Sequence, residues 1–117
     1  MIKLKRVYEP AIPEDGFRVL VERLWPRGVT KGKAALDAWL KEAAPSPPLR
    51  KWYGHDPGKW DEFKRRYQME LDNNPTALVK LRSWIAEYPV VTFTYAAKDE
   101  RLNSAAILRD YVQGEPD

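Results

Sequence analysis

The segment VVTFTY, residues 90–95, decides the fold class of this chain. It contains only β-branched and aromatic residues, which are enriched in strands. A second apolar segment, FRVLVE at residues 17–22, has a Val-Leu-Val centre that is typical of a strand covered on both faces, as in a parallel sheet. The sequence therefore predicts that both segments are strands inside a buried sheet.

The stretches around these two strands predict helices and shorter strands. Residues 2–8 are predicted to form a strand, with the edge of the sheet as its possible position, and residues 13–16 a turn. Residues 31–41 are ambiguous, and we favour a helical turn followed by a short third strand. Four polar residues are predicted to cap or open helices: Ser46, Asp56 and Asn74, each followed by proline, and then either Asp99 or Asn103.

The order strand, turn, helices, strand, helix is typical of the α/β class. We expect a single small domain over residues 1–117, with a three- to four-stranded, mainly parallel sheet and helices packed on it. The length agrees with a prior of roughly 100–200 residues per domain.

Composition excludes several classes of site. The chain has no cysteine, which excludes disulfides, thiolate nucleophiles and iron–sulfur clusters, and it has one histidine, His55, which excludes sites that need two imidazoles. The chain also has neither a Walker phosphate loop nor a Gly-x-Gly-x-x-Gly motif, and we expect no metal and no cofactor. No apolar run approaches the roughly 20 residues of a membrane span and no signal peptide is visible at the start, so no membrane contact and a cytoplasmic location are expected.

Polar residues follow both predicted buried strands. Because ligands of open α/β sheets bind outside the carboxyl ends of the strands, we expect these residues to share one cleft. Arg23 and Arg27 are predicted to bind a carboxylate or phosphate, with Trp25 as a wall and Asn103 as an orienting group. An alternative stays open for Arg23, namely a structural ion pair with Asp99 or Glu22.

Proton transfer in such a cleft is assigned to Asp99, Tyr95 or His55. An imidazole can act as acid or base near neutral pH, but His55 directly precedes the predicted cap at Asp56. We favour a structural role, with the ring buried by neighbouring aromatics and hydrogen-bonded, and keep His55 as a secondary candidate.

The net charge of +3 arises in one segment, residues 50–66, which has six basic and three acidic residues, whereas the rest of the chain has 14 of each. Cations interleaved with aromatics are typical of single-strand nucleic-acid surfaces. The aromatics at positions 60, 63 and 67 also fit a core stripe with a solvated charged face, which we favour. We favour a protein that binds or acts on a small anionic metabolite or nucleotide. The alternatives are a nucleic-acid-binding module that uses residues 50–66 and an interaction protein without chemistry.

Four segments, residues 18–28, 36–46, 49–57 and 95–99, resemble the YeaO-like branch of the bacterial domain-of-unknown-function 488 family. The resemblance covers almost the whole chain and implies no established activity. The wider family often carries cysteines near the second strand end, and YeaO-like chains commonly have a histidine where this chain has Ser104. The resemblance agrees with a site at the strand-end loops.

Overall fold

The computed structural model describes residues 1–114. Its sheet consists of β1 (Ile2–Arg6), β2 (Phe17–Leu20), β3 (Ala38–Trp39) and β4 (Val91–Tyr95), in the spatial order β1-β4-β2-β3. All three neighbouring pairs are parallel. The predicted α/β class and parallel sheet are confirmed, and β1 lies at an edge as predicted. The predicted domain end at residue 117 lies outside the described residues.

Strand β4 is buried along its whole length because both of its faces are covered. Its apolar side chains join the main core on one face, and Thr92 and Thr94 lie on the other. The threonine hydroxyls are satisfied there, since Thr92 Oγ1 donates to Asp15 O (2.6 Å) and Thr94 Oγ1 to Val19 O (3.2 Å). Threonine thus combines strand propensity with a satisfied buried hydroxyl.

Five α-helices accompany the sheet: α1 (Lys31–Ala34), α2 (Pro47–Tyr53), α3 (Trp60–Asp72), α4 (Pro75–Glu87) and α5 (Ser104–Val112). The last four contribute, together with the strands, to one hydrophobic core. The helical turn and short strand that we favoured within residues 31–41 are confirmed as α1 and β3. None of the helices within residues 1–114 has the length and apolar character needed to cross a membrane.

The predicted helix caps have mixed outcomes. Ser46 Oγ, before α2, and Asn103 Oδ1, before α5, each accept a backbone N–H three residues further on, at 3.3 and 2.9 Å, so both caps are confirmed. Asn74 precedes α4 but caps nothing. The prediction of a side-chain cap at Asn74 is therefore wrong, and its side-chain amide instead donates to Glu42 O (2.8 Å).

Asp56 caps a 3-10 turn, Pro57–Lys59, that leads into α3. Its Oδ1 accepts the backbone N–H of Gly58 at 2.9 Å. The α-helix itself begins at Trp60, so the capping role is confirmed while the predicted helix start lies one turn too early.

The second face of the sheet is covered by loops, which a buried ion pair holds in place. Arg18 on β2 and Asp15 in the preceding turn are each 3% exposed, and Arg18 Nη1 lies 2.6 Å from Asp15 Oδ2. Arg18 also donates to the carbonyls of Ala34 (2.8 Å) and Ala35 (3.1 Å), and Lys5 Nζ on β1 lies 3.1 Å from Asp15 Oδ2. These bonds join β1, β2 and the end of α1.

Gly16 permits the close approach of this turn to β4. Its φ is +64°, and a Cβ at this position would lie 2.3 Å from Val90 O. Any side chain would therefore collide with the backbone of the residue that precedes β4, so only glycine fits between Asp15 and β2.

Asp15→Asn is expected to lower the free energy of unfolding by about 3 kcal/mol, because removing one partner of a buried ion pair leaves the other charge uncompensated. Urea unfolding at pH 7 measures the loss. Asp110→Asn is the matched control, because Asp110 forms an exposed pair with Arg109, for which we expect less than about 1 kcal/mol. Equal losses in the two variants would contradict the structural role of Asp15.

The contribution of Asp15 also has a defined pH dependence. Burial raises the pKa of Asp15, but hydrogen bonds from Ile12 N, Lys5 and Arg18 outweigh burial and hold that pKa below its usual value of 3.8. The stabilisation is therefore present above pH 3.8 and is lost as pH falls through the lowered pKa of the folded protein. The difference between wild type and Asp15→Asn should shrink over that acidic range.

Asp56→Ala is expected to lower the free energy of unfolding by about 1 kcal/mol, because the Gly58 N–H loses its acceptor. Asp56→Asn keeps an oxygen at the same place and should retain most of the stability. Denaturant unfolding of both variants tests the cap, and an unchanged midpoint for Asp56→Ala would show that Asp56 has no capping role.

Candidate functional site

A cleft of about 470 Å³ lies where the chain leaves the carboxyl ends of β2 and β4. Its walls come from the segment 22–27 after β2, from residues 96–97 and 102–104 after β4, and from the end of α2 with the turn that follows it. A cavity of this size falls within the range of small-molecule sites. The strand-end location predicted from the sequence therefore corresponds to a real concavity.

Three arginines line the cleft, namely Arg23, Arg27 and Arg50. None of them has a carboxylate oxygen within 4.0 Å among residues 1–114. Arg23 is fixed by a bond from Nη2 to Ala44 O (3.0 Å), and its buried Nε has no partner among those residues. The alternative in which Arg23 forms a structural ion pair with Glu22 or Asp99 is therefore wrong. Arg27 and Arg50 have exposed side chains.

Trp25 lines the cleft with a fixed side chain, and its contact with a ligand stays a prediction. Its Nε1 donates to Val29 O (2.7 Å), and its ring packs edge-on against Trp39 with 5.5 Å between centroids. Trp39 Nε1 in turn donates to Glu22 O (2.7 Å). Two indoles thus hold both the wall and the backbone at the end of β2.

Glu22 is a lining residue that the sequence analysis considered only as a partner for Arg23. Its Oε2 accepts the backbone N–H of Ala96 at 3.2 Å. Burial raises the pKa of Glu22, although the Ala96 hydrogen bond and the charges of Arg50 and His55 act in the opposite direction. The signal available in the sequence was its place as the first charged residue after a buried strand.

His55 lines the cleft and is exposed. Its backbone is left-handed, with a φ of +58° directly after Gly54 at +55°. The ring centroid lies 6.2 Å from that of Tyr53, and the imidazole makes no hydrogen bond to residues 1–114. The interpretation that we favoured, a buried and hydrogen-bonded ring, is wrong, because the left-handed turn carries the side chain to the cleft surface.

Asn103 lines the cleft but is only 3% exposed, and both polar ends of its amide are engaged. Oδ1 caps α5, and Nδ2 donates to Asp99 O (3.0 Å). Asn103 therefore fixes the loop that forms one wall, and its contact with a ligand stays a prediction.

Tyr95 and Asp99 do not line the cleft, which corrects the expectation that they share it with the arginines. Tyr95 is 3% exposed because strand alternation directs it into the main core. The Asp99 carboxylate accepts the N–H groups of Leu102 (2.9 Å) and Arg101 (2.8 Å), and these bonds lower the pKa of Asp99. Both residues support the strand end, and their predicted proton transfer has no geometric support.

The basic segment 50–66 is divided among different structural roles. Arg50 lines the cleft, whereas Arg65 and Arg66 both bind Glu62, at 2.7 Å each. Trp52 has Lys59 and Arg66 over its ring, 4.9 and 4.2 Å from the centroid. The buried aromatics of α3 belong to the core stripe that we favoured. Nucleic-acid binding through this segment stays a prediction.

A neighbouring cavity of about 580 Å³ shares Arg23 with the cleft, and most of its other charged groups are already engaged. Ser46 N and Oγ bind the Glu70 carboxylate at 2.9 and 2.5 Å, and Arg65 and Arg66 bind Glu62. Within residues 1–114, no group of three or more potential ligand side chains is placed to hold a metal ion. The strand-end cleft is therefore the candidate site.

Residues 1–117 match the family described as the inactive DUF488-N3 subclade, DUF488-N3i. The uncharacterised protein Rv3073c of Mycobacterium tuberculosis (strain H37Rv) is 42% identical over 113 residues, which cover 97% of this chain and 94% of that protein. The uncharacterised protein YeaO of Escherichia coli (strain K12) is 40% identical over 112 residues, 96% of each chain. No solved structure matches the chain significantly. The resemblance to the YeaO-like branch is thereby confirmed, and the chain belongs to the DUF488 family, within its inactive N3 subclade.

Proposed function

We propose that this protein binds a small anionic molecule in the strand-end cleft. The observation that carries the proposal is the convergence of Arg23, Arg27 and Arg50 on one cavity without a carboxylate partner among residues 1–114. Guanidinium groups bind carboxylate and phosphate through paired hydrogen bonds, and a partly enclosed cavity strengthens them relative to bulk water.

The three arginines have different proposed roles because their side chains differ in exposure. Arg23 is already tied to Ala44 and supplies positive potential from the cleft wall. Arg27 and Arg50 are exposed and free to turn towards a ligand. Elsewhere among residues 1–114, Arg18, Arg65, Arg66 and Arg109 pair with carboxylates. The three cleft arginines differ from the remaining unpaired ones because they line one concave site.

Binding without turnover accounts best for the chemistry of the cleft. The chain has no cysteine, and Tyr95 and Asp99, two of the three groups expected to move protons, lie outside the cleft. The family description of an inactive subclade agrees with recognition as the retained role. His55 then serves as a contact for the anion.

Inorganic phosphate, titrated at constant ionic strength, should shift the NMR signals of the His55 ring. The chain contains a single histidine, so these signals report on the cleft alone. Arg27→Ala should weaken phosphate binding about tenfold, because a charge-assisted hydrogen bond is lost. Arg82→Ala, an exposed arginine of α4 away from the cleft, is the control for net charge. Unmoved His55 signals, or equal weakening by both variants, would refute the proposal.

Glu22→Gln is expected to stabilise the ligand-free protein at pH 7. Because burial raises the pKa of Glu22 above 4.5, the unfolded chain loses this proton at a lower pH than the folded protein. Wild-type stability therefore falls as pH rises from 4.5 through the folded pKa, whereas the variant has no charge to desolvate.

Urea unfolding at pH 4 and pH 7 tests this expectation, and the advantage of Glu22→Gln should grow with pH. Glu42→Gln, which alters an exposed glutamate, should change stability by less than about 0.5 kcal/mol at either pH. If Glu22→Gln is less stable than wild type at pH 7, the Glu22 carboxylate stabilises the fold. That result would contradict the expectation that its burial lowers the free energy of unfolding.

A further inference from the structure

The cleft carries a group that a simple anion does not need. Glu22 places an oxygen acceptor among three arginines, and a phosphate or carboxylate ligand would gain nothing from it. Only Oε2 is engaged, by the Ala96 N–H, and Oε1 has no partner among residues 1–114. A ligand that fits both signs of charge presents a hydrogen-bond donor as well as an anionic group.

Aromatic surface adds a third requirement. Trp25 and Tyr8 are half-buried and line the cleft, and His55 lines it from the opposite segment. Both wall rings are immobilised, since Trp25 Nε1 binds Val29 O and the Tyr8 hydroxyl donates to Arg27 O at 3.2 Å. Fixed rings beside a polar acceptor provide stacking surface for a planar heterocycle.

We infer that the ligand is a nucleoside monophosphate whose base carries an exocyclic amino group. The phosphate binds Arg27 and Arg50 at the open end, the base lies against Trp25, and the amino group donates to Glu22. The inference rests on the proposed anion binding and names the class of anion. A cavity of about 470 Å³ is of the size that encloses such small ligands.

The position of Glu22 selects among the bases. The exocyclic amino groups of cytosine and adenine donate hydrogen bonds, and a glutamate is a known acceptor for that of cytosine. Uracil and hypoxanthine carry a carbonyl oxygen at the corresponding place. That oxygen would face the Glu22 carboxylate, and two acceptors cannot form a hydrogen bond. Cytidine and uridine monophosphates therefore form a matched pair of probes, as do adenosine and inosine monophosphates.

Titration calorimetry at constant ionic strength, with the His55 ring signals as the site reporter, tests the inference. CMP is expected to bind about tenfold more tightly than UMP, and AMP about tenfold more tightly than IMP, because one charge-assisted hydrogen bond separates the members of each pair. Ribose 5-phosphate should bind more weakly than CMP or AMP, because it keeps the phosphate contacts and lacks the base.

Glu22→Gln should reduce each ratio to about twofold or less while ribose 5-phosphate binding is retained, because a glutamine amide can accept from an amino group or donate to a carbonyl. The Arg82→Ala protein should keep the wild-type ratios, since Arg82 lies outside the cleft.

The outcomes separate the inference from the proposal beneath it. If ribose 5-phosphate shifts the His55 signals but CMP and UMP bind equally well, anion binding stands and the nucleotide inference is overturned. If the CMP preference survives Glu22→Gln, the assignment of Glu22 is overturned. If neither phosphate nor any nucleotide moves the His55 signals, the proposed function and the inference both fail.

Discussion

The buried pair of Asp15 and Arg18 is the constraint on which the rest of the architecture depends. Helices cover one face of the sheet, and mainly loops cover the other. Burying loop backbone against a sheet costs free energy unless its N–H and C=O groups are hydrogen-bonded. Arg18 donates to carbonyls at 34–35, and Asp15 accepts the N–H of Ile12. Each charge therefore satisfies loop backbone in addition to its partner, and this lets a short chain bury its central strand from both sides.

The same covering arrangement creates the cleft. The segments that follow β2 and β4 leave the parallel sheet at one edge, and the indoles of Trp25 and Trp39 hold the first of them against the sheet end. Within that frame Glu22 is kept in a partly desolvated place near cations. Carboxyl groups whose pKa is raised by burial in a concave site are enriched at functional sites.

The elements of the fold were largely predictable because their signals are local. The apolar pattern of residues 90–95 and the cap at Asn103 depend on near neighbours in sequence. At Asn74 no cap forms, and its side-chain amide instead binds Glu42 O, 32 residues away, a contact that no local pattern reveals. In the candidate site, the burial of Tyr95 follows from alternation along its own strand and was within reach of sequence reasoning. The desolvation of Glu22 was not, because distant segments produce it.

The two edges of the sheet shape how copies of this chain meet in concentrated solution. An unpaired strand edge is a template for another chain, and edge-to-edge pairing is a common start of aggregation. Here β3 has only two residues, and Lys41 lies over its Trp39 ring at 4.8 Å. At the opposite edge, β1 alternates apolar residues with Lys3 and Lys5. A very short strand at one edge and lysines along the other are features by which sheet proteins disfavour edge-to-edge pairing. The strand order thus places the two strands least suited to such pairing at the edges of the sheet.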